Sequence, residues 1–170
     1  MRLNRTNVAL VNRPWFVAPT DPDAWHINDL SPFADKIDAP GERTIHINLN
    51  EQAFAAYNKE GYLVTWGPAA GASGYCADLG RSCNTVVGTF RMFRKKGEAC
   101  KSSKYPLGKG GAPMPFCMFF HKGFAMHAST MPGYPASHGC VRMFLEDAAW
   151  LNKGFIKVGG GGTRVVVTKS

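Results

Sequence analysis

Polar and apolar residues alternate along several short segments of the chain, beginning at residue 44. Segment 44–49 carries its apolar residues at every second position, which is the period of a half-buried strand. Two more apolar segments, 53–57 and 62–66, flank the polar residues 58–61. A glycine-containing connection of this length is typical of a hairpin, so we predict two paired strands here.

Later segments repeat this pattern. Residues 88–94 alternate again, which predicts a further strand. Residues 117–120 and 124–127 flank the short turn 121–123, so they predict a second hairpin. Residues 164–168 are rich in β-branched valine and suit a closing strand.

One segment, 145–153, has the features of a helix. Acidic residues stand in its first turn, a lysine stands near its end, and Gly154 follows as a stop signal. Residues 67–84 and 97–115 are rich in glycine and predict long loops. Short strands, long loops and a single helix predict a mainly β fold, either a sandwich or a barrel.

The first 43 residues differ from the rest of the chain. Prolines at positions 14, 19, 22, 32 and 40 interrupt this segment, so no long element is expected in it. We predict an N-terminal extension over 1–43, which forms an arm or lid with a short helix near 32–36. The main domain then covers residues 44–170.

Composition limits the class of protein. With 170 residues, 45% of them hydrophobic, the chain can form one core and is too apolar to be disordered. Its net charge of +8 suits a polyanionic partner, such as nucleic acid or a bacterial cell wall. The basic residues are scattered, apart from two clusters at positions 91, 94, 95 and 96 and at positions 101, 104 and 109. Neither has a nucleic-acid-binding motif, so we interpret them as a solvated basic face and expect no nucleic-acid partner.

Targeting segments are not evident in the sequence. No stretch reaches the roughly 18 to 20 continuous apolar residues of a membrane span, so we expect none. The N-terminus also lacks the apolar segment of a signal peptide. Either a cytosolic protein or one whose leader has been removed fits this observation.

The densest group of reactive residues lies between residues 126 and 142. His127 is predicted at the end of a strand, and Cys140 follows in the turn Ser137-His138-Gly139-Cys140. An imidazole that takes the proton of a thiol generates the nucleophilic thiolate. A glycine before the cysteine allows a sharp turn whose backbone N–H groups can face an oxyanion. These residues are the parts of a cysteine-based acyl transferase.

Two plainer interpretations stay open on these residues alone. His127 and Cys140 can be ordinary core or surface residues. Alternatively, His127, His138 and Cys140 can bind zinc with a fourth ligand, although no Cys-x-x-Cys or His-x-x-x-His spacing supports a metal site. We expect neither a metal nor another cofactor.

The turn around Cys140 resembles the signature of the L,D-transpeptidase (YkuD-type) catalytic domain. That signature has an upstream histidine, which His127 matches, and then a run similar to Ser137-His138-Gly139-Cys140-Val141-Arg142. Other similar segments are 48–52, 87–92, 114–118 and 147–151, so the resemblance covers about residues 44–168. It implies a mixed β-sandwich with one short capping helix near the C-terminus.

The resemblance also implies acyl transfer on the tetrapeptide stems of peptidoglycan. Cys140 would be the nucleophile and His127 the general base and acid. Further roles follow from the same match: backbone N–H groups of His138, Gly139 and Cys140 for the oxyanion, and Ser137 and Arg142 for bracing the turn or binding substrate. The thioester would pass to an amine, which gives a 3→3 cross-link or a protein attached to the wall.

Other acceptors and other classes of protein are alternatives. With water as the acceptor, the enzyme would be an L,D-carboxypeptidase. A cysteine hydrolase of the NlpC/P60 kind has its cysteine before its histidine, the reverse of the order of His127 and Cys140. An inactive wall-binding module would not need these two residues. The resemblance also implies that carbapenem β-lactams inactivate the protein.

The chain departs from the family pattern at several places. Ala128 follows His127 where members often have glycine, and Val86 stands where members often have proline. Phe116 lies near a position at which several members have a hydroxylated aromatic residue, and phenylalanine cannot donate to an oxyanion. The stretch 127–137 is short, which predicts a trimmed lid over the cleft.

Four cysteines remain once Cys140 is assigned as a free thiol. They allow three pairings, and we favour Cys76–Cys83 and Cys100–Cys117 because both bridges would close glycine-rich loops. Disulfides form in oxidising compartments, whereas four reduced cysteines would suit the cytosol. The bridges and the wall-directed motif together predict a protein of the periplasm or cell envelope whose leader has been removed.

Overall fold

The structure is a computed structural model, and it describes residues 31–72, 74–77, 80–103, 111–131 and 137–169. Its strands are β1 (Thr44–Asn48), β2 (Ala53–Tyr57), β3 (Leu63–Pro68), β4 (Tyr75–Cys76), β5 (Arg81–Ser82), β6 (Gly88–Arg91), β7 (Arg94–Lys95), β8 (Met118–His121), β9 (Phe124–Ala128), β10 (Val141–Met143) and β11 (Arg164–Thr168). Helix α1 (Leu145–Trp150) continues into a π-helical turn (Leu151–Phe155). The mainly β class predicted from the sequence is confirmed.

Five strands form the larger sheet, in the order β3-β2-β1-β11-β6. Strand β1 pairs in parallel with β11, and the other neighbours are antiparallel. Ile45 and Ile47 of β1 lie opposite Val165 and Val167 of β11, and all four side chains are buried. The alternation that predicts β1 therefore places its apolar side chains on the inner face of this sheet.

Four strands form the second sheet, in the order β10-β9-β8-β7. Its inner side chains share one buried cluster with those of β1 and β11; they are Met118, Phe120, Met126, Val141 and Met143. Two sheets that pack face to face around one core make a β-sandwich. The outward face of the second sheet carries a smaller cluster, which includes part of the candidate site.

The helical segment closes one side of the sandwich and runs slightly further than predicted. It continues to Phe155, one residue past the predicted stop at Gly154. Arg43 donates to the carbonyl oxygens of Gly154 and Phe155 at 3.0 and 3.1 Å, and Lys95 donates to that of Ile156 at 2.9 Å. Cations at the end of a helix satisfy its last carbonyl groups, so the extra residue stays helical.

The described part of the N-terminal extension, residues 31–43, is irregular. The short helix predicted near 32–36 is therefore wrong. The backbone bonds to the β2–β3 hairpin instead, for example from Ile37 N–H to Gly61 O at 2.9 Å. Phe33 and Ile37 pack on the outward side chains of β2 and β3. This part of the extension thus covers the outer face of the larger sheet.

Residues 88–94, predicted as one strand, belong to two sheets. Strand β6 ends at Arg91 and pairs with β11, whereas β7 begins at Arg94 and pairs with β8. Met92 between them is fully buried, and its N–H donates to Thr163 O at 2.9 Å. The chain crosses from one sheet to the other at this point.

The cysteines form the two bridges that the sequence favours. Cys76–Cys83 joins β4 to the residue after β5; the two strands form a small hairpin inside the segment predicted as a loop over 67–84. Cys100–Cys117 ties a loop to the start of β8. Cys140 is the free cysteine of the described residues.

Three residues of the first basic cluster make contacts within the protein. Arg91 donates to both carboxylate oxygens of Glu42, at 2.6 and 3.0 Å. The Arg94 guanidinium lies over the ring of Phe119, 4.3 Å from its centroid, and Lys95 binds the helical segment as described above. Of this cluster only Lys95 is half-buried; the other three positions are exposed, as expected for a solvated face.

Several predictions fall on residues outside the described ranges: residues 1–30 of the extension, Lys104 and Lys109 of the second basic cluster, and 132–136 of the stretch predicted as a short lid. Within the described ranges, no helix has the length and apolar character required to cross a membrane.

Candidate active site

The residues of the predicted site meet on the outward face of the four-stranded sheet. Strands β9 and β10 run parallel, and Arg142 pairs with His127 in their register. Cys140 comes one residue before β10 and packs against the cluster that contains Ala125. Ala125 and His127 lie on the same face of β9 because they are two residues apart. The parallel pairing therefore places Cys140 and His127 at diagonal positions on one surface.

The thiol of Cys140 is partly exposed and neutral. Its Sγ donates a weak hydrogen bond to Gly123 O at 3.6 Å and packs near the Cys100–Cys117 bridge. Burial raises the pKa of the thiol above its ordinary value of 9.0, while the Ala125 N–H and the charge of Arg142 oppose this rise. A base is therefore required to form the thiolate at neutral pH.

The imidazole of His127 is held in one tautomer. Its Nδ1 lies 2.8 Å from the carbonyl oxygen of Ala128, which can only accept, so Nδ1 carries the proton. Burial lowers the pKa of His127 below 6.5; the Ala128 carbonyl opposes this shift and the charge of Arg142 adds to it. The imidazole is thus neutral at pH 7, and Nε2 is the atom that can accept a proton.

Two hydroxyl groups fix the turn that precedes β10. The buried Ser137 donates through Oγ to the carbonyl of Cys140 and accepts from the Gly139 N–H at 3.1 Å. Thr85, also buried, donates to the carbonyl oxygen of Gly139 at 2.7 Å. Ser137 therefore braces the turn, one of the two roles expected of it. The Gly139 N–H, expected to face an oxyanion, is used inside the turn.

Gly139 has a backbone conformation that other residues rarely adopt. Its φ is +138°, and a Cβ at this position would lie 2.9 Å from the ring of Phe124. Both the sharp turn and the close approach of the ring require a residue without a side chain.

We expect the substitution Gly139→Ala to destabilise the fold and displace the turn. Backbone strain and the contact with the Phe124 ring together should cost about 2 kcal/mol or more, which corresponds to roughly 5 °C in Tm. Thermal unfolding measures the shift, and Gly160→Ala is the control because a Cβ at Gly160 meets no atom within 4 Å. Equal Tm values for the two variants would contradict the strain assigned to Gly139.

Arg142 and His138 complete the predicted set. The backbone of Arg142 exchanges two hydrogen bonds with Ala70, at 2.8 and 2.9 Å, and its Nη1 approaches Thr130 Oγ1 at 3.4 Å. These contacts hold the guanidinium beside His127. His138 is exposed in the turn. Within the described ranges, no group of three or more His, Cys, Asp and Glu side chains is arranged to hold a metal ion.

Comparison with known proteins gives the family. The family model for the L,D-transpeptidase catalytic domain, YkuD, matches residues 42–167, which contain both sheets of the sandwich except the last residue of β11, as well as His127 and Cys140. The chain belongs to the L,D-transpeptidase catalytic domain family. The resemblance read from the turn around Cys140 is thereby confirmed. No curated protein matches the sequence.

Solved L,D-transpeptidases share the fold. One from Xylanimonas cellulosilytica is 29% identical, with a TM-score of 0.63 over 79% of this chain and 64% of that chain. One from Stackebrandtia nassauensis is 21% identical, with a TM-score of 0.63 and coverages of 82% and 62%. L,D-transpeptidase 3 from Mycobacterium tuberculosis, solved with a faropenem-derived adduct, is 17% identical, with a TM-score of 0.57 and coverages of 75% and 60%. This chain therefore spans less than two thirds of each of these proteins.

The positions that depart from the L,D-transpeptidase pattern have structural roles in this domain. Phe116 and Ala128 are buried in the central core, and Val86 packs against it. The backbone of Ala128 keeps the contact that matters to the site, because its carbonyl binds His127. Alanine in place of glycine at this position is compatible with a fixed imidazole.

Sequence reasoning missed the partners that surround the motif. Thr85, Ala125, Gly123 and the Ala128 carbonyl all contact the residues of the signature. The last three act through backbone atoms, which no side-chain pattern reveals. The signal that could have pointed to the strand residues is the predicted hairpin, since it ends next to the motif.

Proposed function

We propose that this domain transfers an acyl group from a peptidoglycan tetrapeptide stem to an acceptor amine, through a thioester on Cys140. The orientation of His127 carries the proposal. Its Nδ1–H is bound to the Ala128 carbonyl, and the register of β9 and β10 supports a ring on the same surface as Cys140, at the diagonal position. A neutral imidazole next to a neutral thiol is arranged for proton abstraction at the moment of attack.

The first half-reaction would form the thioester. Nε2 of His127 takes the thiol proton, and Sγ of Cys140 attacks the carbonyl that joins the third stem residue to the terminal D-Ala. The negative charge that develops on the carbonyl oxygen is stabilised by backbone N–H groups of the turn, among them that of Cys140. The C–N bond then breaks, and the protonated imidazole donates its proton to the departing D-Ala amine.

The second half-reaction would release the acyl group. An amine enters where D-Ala departed, His127 removes its proton, and attack on the thioester restores the Cys140 thiol. An amine on the side chain of another stem gives a 3→3 cross-link, and an amine of a protein gives wall attachment. Water in the same place gives an L,D-carboxypeptidase, which is the alternative on the same fold.

Arg142 would assist by its charge. Its guanidinium is held at the outer surface beside His127, and no acidic side chain of the described residues is paired with it. Stem peptides carry carboxylates, which a guanidinium binds through charge-assisted hydrogen bonds. We therefore propose that Arg142 orients the stem in addition to bracing the strand.

Carbapenems and related β-lactams are proposed as inactivators that acylate Cys140. The faropenem-derived adduct on the Mycobacterium tuberculosis relative supports this extension. A cell-envelope location is proposed on two grounds: the family acts on the cell wall, and two disulfides are expected in an oxidising compartment.

The test is product analysis with a disaccharide tetrapeptide whose side-chain amine is blocked, with and without a second stem as acceptor. Without the acceptor we expect about one equivalent of D-Ala per Cys140, because the thioester cannot turn over. With the acceptor we expect continued release of D-Ala and a cross-linked dimer. Release of D-Ala with only tripeptide product would assign the carboxypeptidase instead. Absence of D-Ala release, together with no mass adduct after exposure to meropenem, would overturn acyl transfer and favour a wall-binding module.

A further inference from the structure

We propose that Thr85 is a positioning residue that aims the Cys140 N–H at the oxyanion. The proposal rests on the acyl-transfer function proposed above. Thr85 lies outside the signature segment and is 2% exposed. Its Oγ1 donates to Gly139 O at 2.7 Å and accepts from the Ala72 N–H at 2.9 Å. One hydroxyl thus connects two separate backbone segments beneath the turn.

The peptide bond between Gly139 and Cys140 links this contact to the chemistry. A trans peptide unit is planar, so its C=O and N–H groups point in opposite directions. Thr85 holds the Gly139 carbonyl toward the buried side. The Cys140 N–H of the same unit must then point away from Thr85, toward the surface at which Cys140 is accessible.

Glycine makes this restraint necessary. Gly139 has no side chain to limit rotation, so the orientation of its carbonyl depends on the partners of the peptide unit. The neighbouring units have partners of their own, because Ser137 Oγ binds both the Gly139 N–H and the Cys140 carbonyl. Thr85 supplies the matching restraint on the unit between them.

The location of Thr85 is itself fixed. Its N–H donates to Ala72 O at 3.0 Å, so the residue is paired with this segment through backbone as well as side chain. The Cys76–Cys83 bridge closes the hairpin two residues before it, which shortens the free chain between Ala72 and Thr85. The β4–β5 hairpin, closed by the Cys76–Cys83 bridge, therefore helps to fix the position of the Thr85 hydroxyl.

The experiment compares two reactions of Cys140 in the full chain. Meropenem acylation creates an oxyanion, whereas alkylation by iodoacetamide displaces iodide from a saturated carbon and creates none. Intact-mass kinetics measure both rates. Thr85→Val should slow acylation by about tenfold to a hundredfold, below the loss of up to about a thousandfold seen when an oxyanion donor is removed outright. Alkylation should stay within about threefold, and Thr85→Ser should restore acylation.

Thr163→Val is the matched control. Thr163 is also buried, and its hydroxyl also accepts a backbone N–H, that of Lys157 at 2.8 Å, so the substitution removes a matching accepted hydrogen bond elsewhere. It should lower Tm without a selective loss of acylation. Thr85→Ala replaces the valine variant if that variant does not fold.

The other outcomes would contradict the positioning role of Thr85 or the function on which it rests. Acylation of Thr85→Val at the wild-type rate, or an equal loss of acylation and alkylation, would overturn the positioning role and leave acyl transfer intact. If neither the valine nor the alanine variant folds, Thr85 is required for the fold and the proposal also fails. A wild-type protein that alkylates but never acylates would instead refute the function on which the proposal rests.

Discussion

Replacing Cys140 by serine is expected to abolish acylation by meropenem and turnover of the tetrapeptide, with a loss on the order of 10⁴-fold or more. The hydroxyl of serine is a far weaker acid than a thiol, so the His127 imidazole, the base proposed above, would deprotonate it far less readily. Intact mass after incubation and quantitation of released D-Ala measure the two activities. Wild-type protein should gain a single adduct, and the variant should gain none.

The Cys140→Ser substitution should leave the fold and the two disulfides unchanged. Serine differs from cysteine by one atom, and Cys140 is only partly buried, so Tm should change little. The other cysteines are in disulfides, so iodoacetamide should label one site in the wild type and none in the variant. An adduct that forms on Cys140→Ser at the wild-type rate would show that another residue is the nucleophile.

The same alternation that builds the core also builds the site. On β9, Met126 and Ala128 face the central core, while Ala125 and His127 face outward. A register slip of one residue would exchange these faces and bury the imidazole in the sandwich. Packing of Met126 against the larger sheet therefore fixes the side on which His127 emerges. Fold and candidate chemistry depend on one periodicity.

Strand positions were predictable where the decisive interactions are local. Segments 53–57 and 124–127 were found because a hairpin joins neighbours in sequence, and the structure has strands there. Segment 88–94 is predicted as one strand because its alternation continues through Met92. In the structure the chain moves to the other sheet at this residue, so the segment forms two strands. Segment 32–36 is predicted as a helix, and that prediction is wrong. Its hydrogen-bond partners lie in the β2–β3 hairpin, which is distant in sequence.

Residues of the candidate site were also predictable where they lie close together in the sequence, and not where their contacts are long-range. His127 and Cys140 were predicted because both belong to one short segment with a recognisable spacing. Thr85 was not, because its contact with Gly139 joins residues 54 apart in the chain. A threonine that follows a glycine-rich loop carries no sign of its partner until the fold brings the two together.

Replacing His127 by glutamine is expected to slow meropenem acylation at pH 7 by about 10²- to 10⁴-fold, because the general base is lost. The pH dependence should also change. Burial lowers the pKa of His127 below 6.5 and raises that of Cys140 above 9.0, so in the wild type both groups are neutral between these values. The wild-type rate should vary little over this range and fall only at lower pH, where the imidazole becomes protonated below its lowered pKa.

Without the imidazole, the His127→Gln variant can react only through the small fraction of Cys140 that loses its proton to solvent. Its rate should therefore rise about tenfold per pH unit up to the pKa of Cys140, and the gap to the wild type should narrow as pH increases. His46→Gln is the matched control, because burial also lowers the pKa of His46, which packs on Tyr57 at the outer face of the other sheet. Its profile should match that of the wild type. A His127 variant with the same flat profile would exclude His127 as the base, since only a base that stays neutral across this range produces that plateau.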